Sequence, residues 1–148
     1  MLVNDYLTSS AERFGTKTAV VDDTGRCSYI QYEQQANRLA HALQSQGVRP
    51  GDRVGVALGN SIETVIAIFA ILKAGGVFVL INPAMKTDKM CLLLNDCAAS
   101  VVMLDGRRHA ERSAIETSVP SVHAIVLCGD GLEPQTASGL SCIRCSDL

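Results

Sequence analysis

The residues whose types and spacing could do chemistry form a few small groups. Cys142 and Cys145 make a C-x-x-C. A zinc ion would need two further ligands at usable spacing, and His109 and His123 each stand in a separate predicted element, so two ordinary thiols is the favoured reading. Arg107, Arg108, His109 and Arg112 gather positive charge that would suit an anion, but Glu111 and Glu116 dilute it, and the group reads as the solvated face of a helix. Gly55-x-x-x-Gly59 lies within and just after an apolar run, without the strand-to-helix setting of GxGxxG and without a following Gly-Lys-Ser or Gly-Lys-Thr. It is not read as a phosphate loop. Asn60, Ser61 and Glu63 occupy a strand-to-helix junction, the place where ligands gather in open α/β sheets, although helix capping alone accounts for Asn60 and Glu63. Lys73 has a stem long enough to lie on apolar surface with its ammonium in water, and that reading is preferred to a substrate contact. No nucleophile has a recognisable elbow or a paired base. No residue is therefore assigned a catalytic, cofactor-binding or metal-binding role.

The elements that must position these groups follow from periodicity. A hairpin runs from Ala19-Val20-Val21 through a turn at Asp22-Asp23-Thr24-Gly25 to Cys27–Tyr29. Ser28 and Gln31 then have capping-box spacing. Tyr32, Ala36, Leu39, Ala40 and Leu43 recur at helical spacing, with Glu33, Gln34, Asn37, Arg38 and His41 on the other face, until Gly47 and Pro50 end the helix. Val54–Leu58 reads as a strand, and Asn60 with Glu63 as the cap of a helix over Ile62–Ala74, which is apolar nearly all round and so expected between layers. Gly75-Gly76 stops it. Val77–Ile81 is an uninterrupted apolar run, the pattern of a central strand covered on both faces. The cycle repeats with a helix near Thr87–Asn95 (Met90, Leu93 and Leu94 inward), a strand Ser100–Leu104, a helix near Arg107–Thr117 and a strand Val122–Leu127. Short links between alternating strands and helices predict an α/β fold, a doubly wound parallel sheet with helices on both faces and a small N-terminal β-hairpin. Residues 1–128 form its one subdomain, and 129–148, rich in Gly, Ser, Pro, Thr and Gln without either period, read as an irregular tail or linker.

Composition bounds the function. The chain has 148 residues, enough for a single domain with a real core. Its net charge of -2, from 13 Lys+Arg against 15 Asp+Glu, gives no field of one sign to draw in nucleic acid. Hydrophobic residues make up 47%, yet the longest apolar run, Val65–Leu72, is too short to span a bilayer. The N-terminus carries Asp5 and lacks the basic start and apolar stretch of a secretory signal, which predicts a cytoplasmic protein with its six cysteines reduced. Cys27, Cys91, Cys97 and Cys128 fall inside predicted elements, where a free thiol acts as a small hydrophobe.

Two separate stretches carry a resemblance to a known family. One is Ser28-Tyr29 leading into a helix with Ala36-Asn37-Arg38-Leu39-Ala40; the other is Leu72-Lys73-Ala74-Gly75-Gly76-Val77-Phe78-Val79 running to Asn82-Pro83. From about Tyr6 to Leu127 the chain resembles the N-terminal region of the adenylate-forming superfamily: acyl- and aryl-CoA ligases, luciferases and the adenylation domains of peptide synthetases. The resemblance implies a parent enzyme that uses ATP, magnesium and coenzyme A to turn a carboxylic acid into an acyl-adenylate and then an acyl-CoA. Asn82-Pro83 and the stretch Lys86–Cys97 look more like acyl-CoA ligases, which favours a fatty or aryl acid over an amino acid. In that family the ATP phosphates are held by a Ser/Thr/Gly-rich loop ending in lysine, placed after the region corresponding to Val122–Leu127. Nothing in Gly129–Leu148 matches it, nor the adenine and ribose contacts or the catalytic lysine of the C-terminal domain. The chain is therefore expected to stop before the phosphate loop, to bind no cofactor by itself, to be catalytically incomplete, and to self-associate or dock to the missing remainder. A non-catalytic nucleotide- or acyl-binding module and an interaction fragment docking through exposed sheet surface are the alternatives.

Overall fold

The computed structural model describes residues 1–129 and 141–145. Helix α1 (Val3–Phe14) comes first, an element for which the sequence analysis offers no expectation. The hairpin follows as β1 (Thr18–Asp22) and β2 (Gly25–Ser28), paired antiparallel. Then come α2 (Tyr29–Ser45), β3 (Arg53–Ala57), α3 (Ile62–Lys73), β4 (Val77–Leu80), α4 (Thr87–Asp96) and β5 (Val101–Asp105). A 3-10 turn (Gly106–Glu111) leads into α5 (Arg112–Ser118), β6 (Ala124–Cys128) and β7 (Ser141–Arg144).

The five-stranded sheet is parallel in the order β4-β3-β5-β6-β7. Because successive side chains on a strand point to opposite faces, β5 and β6 split their apolar residues between two cores. Val101, Met103, Ala124, Val126 and Cys128 join a cluster built with α2 and α3. Val102, Leu104, Ile125 and Leu127 join another, with Met90, Cys91 and Leu94 of α4 and Ile115 of α5. The interior strands are thus apolar on both faces because both faces are covered.

The predicted cap of α2 is present: the Ser28 hydroxyl accepts from Gln31 N–H (3.4 Å) and the Gln31 carboxamide accepts from Ser28 N–H (2.9 Å). Four expectations need correction. The side chain that caps α3 is Ser61, which accepts from Thr64 N–H at 3.3 Å, because Asn60 lies one residue too early to reach the first turn. The strand at Val77–Leu80 is an edge strand, not a central one, and Val77 and Leu80 are 49% and 57% exposed, since β5 pairs on the other side of β3. Ser141–Arg144 is a strand, so this part of the expected irregular tail is ordered by ladder pairing with β6. The helix expected over Arg107–Thr117 begins as the tighter 3-10 turn, tied at its start by Asp105, which accepts from Arg107 N–H at 2.9 Å.

The link from α3 to β4 has the predicted constraint. Gly75 sits at φ +85, where an L side chain is disfavoured, and closes the helix by donating to Leu72 O at 3.0 Å. Gly76 has no such φ; a Cβ there would come within 3.1 Å of Ile71 Cγ2 and 3.2 Å of Asp52 O.

Candidate functional site

Parallel strands bring all their carboxyl ends to one edge of the sheet, and there a crevice of about 400 Å³ opens. Leu58, Gly59, Asn60 and Ser61 line it after β3, Asp105 and Arg107 at and after the end of β5, Cys128 and Gly129 at and after the end of β6, with Glu63 from α3 and Thr24 from the hairpin turn. The structure therefore brings Asn60, Ser61 and Glu63 to the crevice together, as their place at the junction suggested. Thr24, Asp105 and Cys128 were missed; their positions at a turn or at the last residue of a strand were the available signal.

The anion-attracting end of α3 is occupied from within the chain. Asp22 Oδ2 accepts from Ile62 N–H at 2.8 Å, while Oδ1 accepts from the Thr24 hydroxyl (2.6 Å), Thr24 N–H (2.8 Å) and Gly25 N–H (3.1 Å). The hydrogen bond from the Thr24 hydroxyl and that from Ile62 N–H hold the Asp22 carboxyl down at about 2. One carboxylate thus fixes the hairpin turn and supplies the negative charge that a helix N-terminus favours.

The cationic side of the crevice is also engaged. Arg107 donates from Nε to Asp105 Oδ1 (2.9 Å) and from Nη2 to Asp105 Oδ2 (2.7 Å), a two-pronged pair that holds the Asp105 carboxyl below its ordinary value. Arg108 turns away, donating to Pro83 O (3.0 Å), Met85 O (2.9 Å) and both oxygens of Glu111 (2.7 Å each), which fastens the loop after β4 to the 3-10 turn. The Arg107–Arg108–His109 group is therefore not one anion-facing cluster.

Lys73 does not behave as expected. Its ammonium is not in water: it lies 2.8 Å from Glu33 Oε1 and 3.1 Å from Thr8 Oγ1, and the Lys73 and Glu33 side chains are only 11% and 14% exposed. Thr8 and Asn37 also donate to Glu33 Oε1 (3.0 and 3.3 Å), so the group joins α1, α2 and α3 rather than serving the crevice. The two sulfurs of the C-x-x-C face different cores. Cys142 packs with the core beneath α4 and α5, whereas Cys145 packs with the opposite core. Gly55 is buried beneath Leu94, whose Cδ2 lies 2.7 Å from where a Cβ would stand, and so serves helix packing.

Comparison with known proteins decides the family. Residues 7–141 match the family described as AMP-binding enzyme. The chain belongs to the AMP-binding enzymes. It is 30% identical over 132 residues to the 3-oxocholest-4-en-26-oate--CoA ligase of Rhodococcus rhodochrous, covering 88% of this chain and 24% of that one. It is 38% identical over 101 residues to tyrocidine synthase 1 of Brevibacillus parabrevis, covering 68% and 9%. Among solved structures, a putative long-chain-fatty-acid CoA ligase from Rhodopseudomonas palustris superposes with a TM-score of 0.84 at 26% identity, covering 99% of this chain and 36% of that one. The anthranilate CoA ligase AuaEII, in complex with anthranoyl-AMP, gives 0.83 at 29% identity, covering 91% and 26%. This AMP-binding enzyme chain thus spans about a quarter of the length of the Rhodococcus ligase.

Proposed function

We propose that this chain forms the N-terminal part of a cytoplasmic, ATP-dependent ligase that activates a fatty or aryl acid as its acyl-adenylate and passes it to coenzyme A, and that the chain alone does not complete adenylation. The match over residues 7–141 carries the parent reading, and the likeness to CoA ligases supports the acyl-CoA branch. The crevice supports the incompleteness. Releasing pyrophosphate needs positive charge where the phosphates lie. Here the lining carries Glu63 and Asp105, Arg107 is held by Asp105, and the α3 terminus already faces Asp22. These residues do not fit a triphosphate by themselves.

The test has two arms. ATP–pyrophosphate exchange by the purified chain with a panel of fatty, aryl and amino acids should show no acid-dependent signal, and such a signal would overturn the incompleteness. A chimera in which this chain replaces the matching region of the Rhodococcus ligase should recover acid-dependent exchange. A folded but inert chimera, beside an active parent, would count against the parent reading.

A second reading has its own support. The outer edge of β4 has no sheet neighbour among the described residues, and it carries the exposed Val77 and Leu80. An open apolar edge is a docking surface, in keeping with attachment to the rest of a ligase or to a second copy.

A further inference from the structure

The last paired residues of β6 and β7 are Leu127 and Arg144. Cys128 is the last residue of β6 and Cys145 directly follows the last residue of β7, so the two stand at neighbouring strand ends. The two lie on the same face of the sheet: Cys128 belongs to the core under α2 and α3, and Cys145 packs against that same core. Adjacent strands lie about 4.8 Å apart, inside the Cα separation of roughly 4.4–6.8 Å that a disulfide spans. Cys142, although closer to Cys145 in sequence, faces the other core. Cys128 also lines the crevice, and Cys145 is partly exposed.

We propose that Cys128 and Cys145 are a thiol–disulfide exchange site, at which a small-molecule disulfide forms a Cys128–Cys145 bridge between the ends of β6 and β7. The order of attack follows from the surroundings. The side-chain contact between the two sulfurs raises the Cys128 thiol, helped by burial, and lowers that of Cys145. Cys145 is also the more exposed of the two. The thiolate is the nucleophile. Cys145 Sγ therefore attacks one sulfur of the incoming R–S–S–R, whose S–S bond breaks and releases one thiolate. Cys128 gives up its proton to that leaving group, and its sulfur attacks Cys145 Sγ, expelling the second thiolate. Both protein thiols are oxidised, two electrons reduce R–S–S–R, and the two thiol protons leave on two R–SH. No sulfur adduct remains.

The test uses the whole chain and glutathione disulfide. The expected product is a species lighter by two hydrogens, with four of the six thiols still free. Trypsin together with a protease that cuts before aspartate separates 113–129, which holds Cys128, from 130–144, which holds Cys142, and from the Cys145 peptide. The bridge should join 113–129 to the Cys145 peptide. Cys142→Ser should form it to the same extent as the unmodified chain, and Cys145→Ser should not form it. A Cys142–Cys145 bridge, glutathione retained on Cys145 without closure, or six unreacted thiols would each overturn the proposal. The peptide map of the unmodified chain decides the matter even if Cys128→Ser fails to fold.

Discussion

Glu33 shows what one residue can demand of its neighbours. Its Oε1 gathers Lys73, Thr8 and Asn37, but its Oε2 is buried without a hydrogen bond among the described residues. Removing the cation leaves a mostly buried carboxylate short of its counter-charge. Lys73→Ala should therefore destabilise the chain by about 1–3 kcal/mol, the usual cost of stranding such a group. Urea unfolding checks this, and Glu33→Gln in the Lys73→Ala background should recover part of the loss. A Lys73→Ala chain that unfolds like the unmodified one would show that water reaches Glu33 freely. The two glycines of the α3–β4 link should fail for different reasons. Gly75→Val places a β-branched residue at φ +85, with an expected cost of about 1–3 kcal/mol in backbone strain. Gly76→Val instead drives a side chain against Asp52 O, whose carbonyl already receives Val77 N–H at 2.8 Å. Its expected cost is similar, about 1–3 kcal/mol from overpacking. If either variant keeps the parental unfolding midpoint, its constraint is absent.

Among the elements, the junction of the hairpin with α3 depends on Asp22. Its carboxyl, ordinarily near 3.8, is held at about 2 in the fold. A lowered carboxyl stabilises the folded chain in full above its ordinary value, and that contribution disappears as the pH falls from there through about 2. The unmodified chain should thus lose thermal stability across that acid window, and Asp22→Asn should flatten that slope while lowering stability near neutral pH. Equal slopes in the two chains would contradict the role given to Asp22. This contact also marks the limit of sequence reading. Strands β3, β5 and β6 and helices α2 to α4 were legible because their apolar periods are long and unbroken, and the Ser28–Gln31 cap because both partners lie within one turn. Asp22 and Ile62 are forty positions apart, and their meeting depends on how α3 packs on β1, which no local pattern records. Lys73 was misread for the same reason. A lysine at the end of an apolar helix looks solvated until α1 and α2 close over it. The place of β4 at the edge was illegible because apolar continuity reports coverage of faces, not the presence of a lateral neighbour.

At the scale of the whole molecule, the exposed Val77 and Leu80 sit on an open strand edge, and Leu92 on α4 is 69% exposed. Sedimentation velocity should find dimers or larger species, and Leu80→Lys should move the population toward monomer by placing a charge on the edge. A sharp monomer that binds no hydrophobic dye would count against the open edge as a contact surface. The order β4-β3-β5-β6-β7 has one more consequence, for synthesis. Strand β3 is made first, and β4 pairs with it. The strand β5 then pairs with β3 on the other side, β6 with β5, and β7 with β6. Each strand after the first leaves the ribosome with its partner already translated, so the sheet can grow outward at the pace of elongation without holding a hydrophobic strand in wait for a later one. Nascent chains arrested at increasing lengths should gain protease resistance in steps, one after each strand clears the exit tunnel, instead of in a single step at the end.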